Sequence, residues 1–470
     1  MLRFARMSLV FGFASLFLIG SANPSPLRPA TAEAIASQTA AAIETAATTA
    51  GPGVAVLIAQ GDRVIYRGAR GTADLQLAVP LTDQHVFHIA SVTKMFTAAM
   101  VLKLDQDNRL SLDDPLARYM PDFPNAAGIT IRQLLGHTAG ISDRTSPADV
   151  QPGFSRRDVD MATLATEIAK RPPSFAPGTS QAYSNSGYIL LGAVIEAVTG
   201  TPWHVAIQEE LLSPLGIDTT TYGIASSVIP GRVTGYTRDS PNGAYRNAPY
   251  ISMTIPASAG ALVSTVDDLH RWMRALTAGR VISSASYQQM ITPAAPAGIT
   301  TADRYGFGMN NWRVRGEQMI GHSGQINGFT SILAYLPAQD ITIIALANDD
   351  SFDALTFGYR LAGIAIGRPY PVVLNVPIPA TEMETLAGSY QLGQVVRTIS
   401  VNDGRLFMRR GSGNQIPLQM TADGHLHFFP DELSYFTPIR SSAGNSVRLD
   451  YYARGDGPPQ AFLRFENQEN

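Results

Sequence analysis

Ser91-Val92-Thr93-Lys94 opens a mostly apolar stretch over 91–104. In a helix that starts at Ser91, the serine and the lysine stand on one face, a turn apart. A serine hydroxyl becomes a useful nucleophile only when a neighbouring base takes its proton. Lysine can be that base only when neutral, and burial among apolar side chains is what lowers its pKa from ~10.4. The chain has only three lysines, Lys94, Lys103 and Lys170, among 35 basic residues. Arginine occupies the other cationic positions, and arginine keeps its proton at any working pH. A lysine retained in an apolar helix therefore fits a need for a removable proton. The backbone N–H of Ser91, at a helix N-terminus, suits a developing oxyanion. Taken alone, the four-residue spacing is better explained by an N-cap serine and a solvated lysine.

A second group is Tyr183-Ser184-Asn185, preceded by the turn sequence Phe175-Ala176-Pro177-Gly178. That turn puts Tyr183 at the mouth of a helix rather than inside it. A phenol beside a lysine can relay a proton to a leaving group, and the Asn185 amide can hydrogen-bond a substrate carbonyl. A third group is Gly321-His322-Ser323-Gly324 on a strand, whose glycines let a backbone come close to a ligand. The N–H of Gln325 is the candidate second oxyanion donor. His85-x-x-His88 and His425-x-His427 have no third ligand nearby and no H-E-x-x-H occurs, so no metal and no other cofactor is expected.

Strands and helices must position these groups. A β-hairpin is predicted over 53–71, around a Gly-Asp turn. Helices are predicted over 91–104, 131–135, 161–169, 188–198 and 267–276, and an Ala-rich helix within 23–50. Late strands are predicted at 319–320, 330–335 and 341–347. With strands at both ends and helices between them, the reading is α+β or mixed: the N- and C-terminal segments of this region complete one sheet. Four prolines mark 367–380 as an extended linker. Beyond it, 381–470 alternates short strands with Asp-Gly turns, an antiparallel meander of seven or eight strands that forms a small barrel.

The 470 residues are 45% hydrophobic and 16% charged, with a net charge of −3, which suits two or three domains with a sizeable core and excludes disorder. No Lys/Arg run stands out, so nucleic acid and anionic membrane surfaces are poor partners. There is no cysteine, so no disulfide framework exists. Residues 1–22 carry Arg3 and Arg6, then an apolar stretch, then Gly20-Ser21-Ala22. This reads as a secretory signal peptide, since its apolar run falls short of the ~20 residues that span a bilayer. The mature chain is expected to be periplasmic or secreted, with no stable membrane anchor. Its expected partner is a small-molecule or peptide substrate. Nothing in the sequence speaks to oligomeric state.

Taken together and in this order, Ser-x-x-Lys, Tyr-x-Asn and His-x-Gly resemble the signature of the serine β-lactamase and penicillin-binding-protein-like superfamily. The likeness extends to FHIASVTKMFTA (87–98), IRQLLGHTAGISD (131–143), YSNSGYILLGAVIE (183–196), ASAGALVSTVDDLHRW (257–272) and GHSGQINGF (321–329), and covers roughly 35–365. It is strongest to the class C-related esterases and D-aminopeptidases. The tail from about 382 resembles a lipocalin-like accessory barrel. The resemblance implies a five-stranded antiparallel sheet between helices. It implies Ser91 as the acylated nucleophile, Lys94 as its base partner and Tyr183 as a proton relay. Asn185, His322, Gly324 and Gln325 fall at substrate-binding positions, with the Ser91 and Gln325 amides as oxyanion hole. Whether Lys94 or an ionised Tyr183 is the general base stays open at this stage. The departure is His322, where penicillin-hydrolysing members usually carry lysine. A mostly neutral histidine favours esters, amides or D-residue peptides over β-lactams. The alternatives are a true β-lactamase, a peptidoglycan peptidase, and a non-catalytic penicillin-binding or sensor protein.

Overall fold

The structure is a computed structural model that describes residues 31–143, 153–240, 243–296, 304–371, 374–428, 433–442, 444–455 and 457–465. The expected signal peptide, 1–22, lies outside the described residues. The predicted hairpin is present as Val54–Gln60 and Arg63–Arg70, turning at Gly61 with φ +58°. Val54–Gln60 pairs antiparallel with Ile341–Ala347, from Val54 opposite Ala347 to Gln60 opposite Ile341. The two ends of the region therefore complete one sheet, as the sequence implied.

That sheet has seven strands, not the five the resemblance implied. Its order is Arg304–Tyr305, Asn310–Val314, Glu317–Ile326, Phe329–Leu336, Ile341–Ala347, Val54–Gln60 and Arg63–Arg70. The first two were missed because they are short and carry Asn310, Asn311 and Arg313. They hold because Asn310–Val314 pairs along the edge of Glu317–Ile326 and buries Trp312 and Val314.

The central strands read as unbroken apolar runs because both faces are covered. Val54, Val56 and Ile58 join one core with Ile35 and Ile43 of helix Ala32–Ala46 and with helix Ala354–Ala365. Their neighbours Ala55, Leu57 and Ala59 join a second core with helices Thr93–Gln106 and Val266–Thr277. The period of two along each strand thus sorts side chains between two helical layers. Helix Thr93–Gln106 is buried on nearly all sides, which its uniform apolarity anticipated. The α-helix itself begins at Thr93. Ser91 sits in a preceding 3₁₀ turn, Ala90–Val92, rather than in the helix.

Eight strands from Gly388–Leu392 to Gln460–Phe465 close into a barrel, sealed by pairing of Gln415–Thr421 with Leu426–Phe428. The 367–380 segment is not simply a tether: Asn375–Val376 adds an edge strand to Gln415–Thr421. The barrel has its own core, including Tyr390, Ile399, Leu406 and Phe436. It docks on the outer helical layer, where Leu433 enters the core of helix Ala354–Ala365. Arg454 donates to Tyr359 Oη at 2.9 Å with its guanidinium 5.0 Å from the ring centre. Arg454→Ala removes a contact of about 1–2 kcal/mol. Differential scanning calorimetry is expected to show a separate, earlier barrel transition in this variant, with the active site unaffected. A single unshifted transition would show that docking does not rest on this contact.

Candidate active site

Lys94, on the first turn of Thr93–Gln106, is fully buried, and its Nζ meets three oxygens. They are Asn185 Oδ1 at 2.7 Å, the Ala259 carbonyl at 2.7 Å and Ser91 Oγ at 3.2 Å. Burial lowers its pKa from 10.5 to about 7, partly opposed by the Asp143 carboxylate. This shell fits both charge states. An ammonium donates to all three oxygens. A neutral amine donates to the two carbonyls and turns its lone pair to the Ser91 hydroxyl. A proton can therefore pass between Ser91 and Lys94 with no rearrangement around the nitrogen.

Each oxygen is delivered by a different element. Asn185 is the first residue of helix Asn185–Thr199, whose N-cap Ser184 accepts from the Gly187 N–H. Ala259 ends the 3₁₀ turn Ala257–Ala259, which is tied to the lysine helix where Thr97 donates to the Ser258 carbonyl at 2.6 Å. The turn bearing Ser91 is pressed on the sheet. A Cβ on Gly324 would come within 2.4 Å of the Ile89 carbonyl and 3.0 Å of Ala90 Cβ, so glycine is what permits this approach. Backbone strain collects here: Ala90, His137 and Ala257 have φ of +46°, +59° and +38°. Such values are rare for residues with a side chain and persist only where surrounding contacts enforce them.

Tyr183 donates to Ser91 Oγ at 2.9 Å, and Lys94 Nζ lies 4.8 Å from its ring centre. Burial of the phenol raises its pKa above the ordinary value. The residue as a whole keeps 44% of its surface exposed, so this acts at the hydroxyl end, which Ser91 covers. Asn185 Nδ2 donates to Asp143 at 3.0 Å, which fixes the amide with its oxygen towards Lys94.

His322 is buried and its Nδ1 faces the Ser323 carbonyl, so the proton is assigned to Nδ1. Bare Nε2 then accepts from Tyr305 Oη at 3.1 Å. Burial, and then the charge of Lys94, push its pKa down to about 3. The third motif thus presents a neutral ring. Ser91, Asn185 and Gln325 line two adjoining cavities, of about 610 and 650 Å³. Tyr183, His322 and Gly324 line the first. The structure brings all seven sequence-predicted residues to this one cleft.

Sequence reasoning missed four groups around the site: the Ala259 carbonyl, Asp143, Tyr305 and His137. Tyr305 stands alone in a short strand with no motif around it. His137 was quoted only as part of a resembling segment. Its carbonyl accepts from the Ala182 N–H at 3.0 Å and its Nδ1 from the Ser184 N–H at 3.2 Å, bracketing Tyr183 on both sides. Its ring packs 4.6 Å from that of Tyr183 and 4.5 Å from that of Tyr305. Burial, Lys94 and His322 hold it well below the usual imidazole range, so it too is neutral.

The Beta-lactamase family matches residues 39–363, most of the chain. The chain belongs to that family. It is similar to Penicillin-binding protein 4* of Bacillus subtilis, 26% identical over 432 residues, which span 88% of this chain and 92% of that protein. Protein flp of Staphylococcus aureus (strain MW2) is 31% identical over 309 residues, 64% of this chain and 60% of its own. Among solved structures, a D-stereospecific amidohydrolase from Streptomyces sp. has a TM-score of 0.60 at 26% identity, covering 69% of this chain and 97% of that one. The D-amino acid amidase of Ochrobactrum anthropi SV3, complexed with L-phenylalanine amide, has a TM-score of 0.60 at 25% identity, covering 67% and 91%. SurE, at 24% identity and a TM-score of 0.60, shares the fold over 92% of this chain. This chain is a serine hydrolase of the β-lactamase fold.

The geometry makes three predictions. Below about pH 7 Lys94 becomes an ammonium that cannot take the serine proton, so kcat/KM for acylation rises with pH through a midpoint near 7. His322, already neutral above about 3, adds no second limb. Lys94→Arg keeps the charge and is expected to abolish covalent labelling of Ser91 by a fluorophosphonate. His137→Ala removes the acceptor for the Ser184 N–H and the packing on Tyr183. A loss of acylation rate of about 10–100-fold is expected, partly restored in His137→Asn, which tolerates a positive φ. Stopped-flow burst kinetics on the folded fraction test this, and a loss proportional only to unfolding would refute it.

Proposed function

We propose that the protein is an exported acyl hydrolase that forms a covalent acyl-enzyme on Ser91 and cleaves esters, or amides and peptides of D-residues. The observation that carries this reading is the Ser91 hydroxyl, shared between a buried amine at 3.2 Å and a phenol at 2.9 Å. Neutral Lys94 is the base. The phenol is pushed up and the amine down, so an ionised Tyr183 is the costlier species. As Ser91 Oγ bonds to the carbonyl carbon, its proton passes to Lys94. The amides of Ser91 and Gln325 receive the oxyanion. Tyr183 then protonates the departing oxygen or nitrogen, and the Lys94 ammonium restores the phenol's proton. Water reverses the sequence on the acyl-enzyme.

Three observations bear on the substrate. Neutral His322 leaves no permanent cation at the position where a β-lactam carboxylate would dock. The first cavity is lined instead by Asp350 and Asp353. Two of the similar structures are named as acting on D-amino acid amides or with D-stereospecificity. Export rests on residues 1–22 alone. The test is a panel of p-nitrophenyl acetate, D- and L-phenylalanine amide, and nitrocefin with wild type and Ser91→Ala. Ester and D-amide turnover is expected to exceed the Ser91→Ala background, with nitrocefin at least about tenfold slower than the best of them. Nitrocefin as the best substrate, or no turnover above background, would overturn the reading.

A further inference from the structure

A third cavity, about 470 Å³, adjoins the 650 Å³ one and shares Pro249, Tyr250, Ile251, Ile326 and Asn327 with it. Its lining includes His88, three residues before Ser91, so chain connectivity keeps their Cα atoms within about 11 Å. Arg232 is the one charged residue in its described lining. The guanidinium donates to the Ile224 carbonyl at 3.2 Å and has no carboxylate in ion-pair range among the described residues. Backbone bonds between Val86 and residues 231 and 233 fix its place beside the His88 strand. His88 Nδ1 is buried with no hydrogen-bond partner among the described residues. Burial, and then the Arg232 charge, hold its ring neutral, with a pKa of about 4. Glycines keep the space open: a Cβ on Gly223 would come within 2.7 Å of His88 Cε1, and one on Gly235 within 2.5 Å of Phe329.

Direction comes from the proposed chemistry, on which this inference rests. Tyr183 protonates the leaving group and lines only the first of the two Ser91 cavities, so the leaving group occupies that side. The acyl portion then runs the other way, toward the third cavity. Met253, Ile251 and Phe329 offer that arm apolar contact, and its far end meets Arg232 and the neutral His88 ring. We propose that Arg232 and His88 form a carboxylate-binding subsite for the distal end of the acyl arm, so that the protein prefers acyl groups with a terminal carboxylate.

The probes are p-nitrophenyl monoesters of adipic, pimelic and suberic acids and their methyl-capped counterparts. Wild type is expected to favour at least one free acid about tenfold in kcat/KM, mostly through KM, as a charge-assisted contact would give. Arg232→Gln should bring each acid to parity with its capped ester while leaving the capped ester rate within about twofold, and Arg232→Lys should keep part of the preference. No preference in wild type, or one that survives Arg232→Gln, would overturn the subsite. Calorimetric binding of suberic acid monoamide to Ser91→Ala, compared with Ser91→Ala/Arg232→Gln, reads the site without turnover. Tighter binding to the first supports it, and equal or absent binding refutes it. Capped esters that are not hydrolysed at Ser91 would count against the hydrolase reading instead.

Discussion

A primary amine shut off from solvent organises the interior of this fold. Keeping a permanent ammonium at such a depth costs several kcal/mol unless its donors are met. Here three oxygens meet them, and each comes from a separate segment: the Ser91 turn, the start of helix Asn185–Thr199, and the Ala257–Ala259 turn. None could move far without stranding the nitrogen. The positive φ values of Ala90 and Ala257 fall on two of these segments, so backbone strain is spent where the shell closes. The same burial that threatens stability lowers the proton affinity of the amine into the range where it can act as a base.

Around that amine lies a patch of neutral rings. His137, Tyr183, Tyr188, Tyr305 and His322 pack with centres 4.5 to 6.1 Å apart. Each imidazole is held neutral first by burial and next by the Lys94 charge, while burial holds the phenols protonated. Burial thus sets the protonation of these rings, and the amine's charge reinforces it at the two imidazoles. A lysine in place of His322 would put a second cation beside the first. The neutral ring avoids that repulsion.

The cleft is unequal about Ser91. Asp353 lines only the side that also holds Tyr183, Asp350 lines both cavities, and Arg156 and, further on, Arg232 lie on the other side. The barrel lies away from this cleft, against the outer helical layer at Tyr359 and Leu433. From there it braces helix Ala354–Ala365, whose first residues line the cavity that holds Tyr183.

The sequence by itself made the candidate site legible, in three short motifs taken together. Ser91, Lys94, Tyr183, Asn185, His322, Gly324 and Gln325 were legible because each motif is local, and so were the main helices, the hairpin and the barrel meander, whose hydrophobic periods need only a few residues to declare themselves. What it could not give was anything built from distant segments. Only the tertiary structure decided that the Ala259 carbonyl completes the lysine's shell, that His137 brackets Tyr183, and that Tyr305 caps His322 from a short strand pair outside the five expected. The physical reason is that hydrogen-bond satisfaction and burial are set by which surfaces meet. Residues 91, 183, 259 and 322 have no local pattern in common, and only folding tells each of them what it touches.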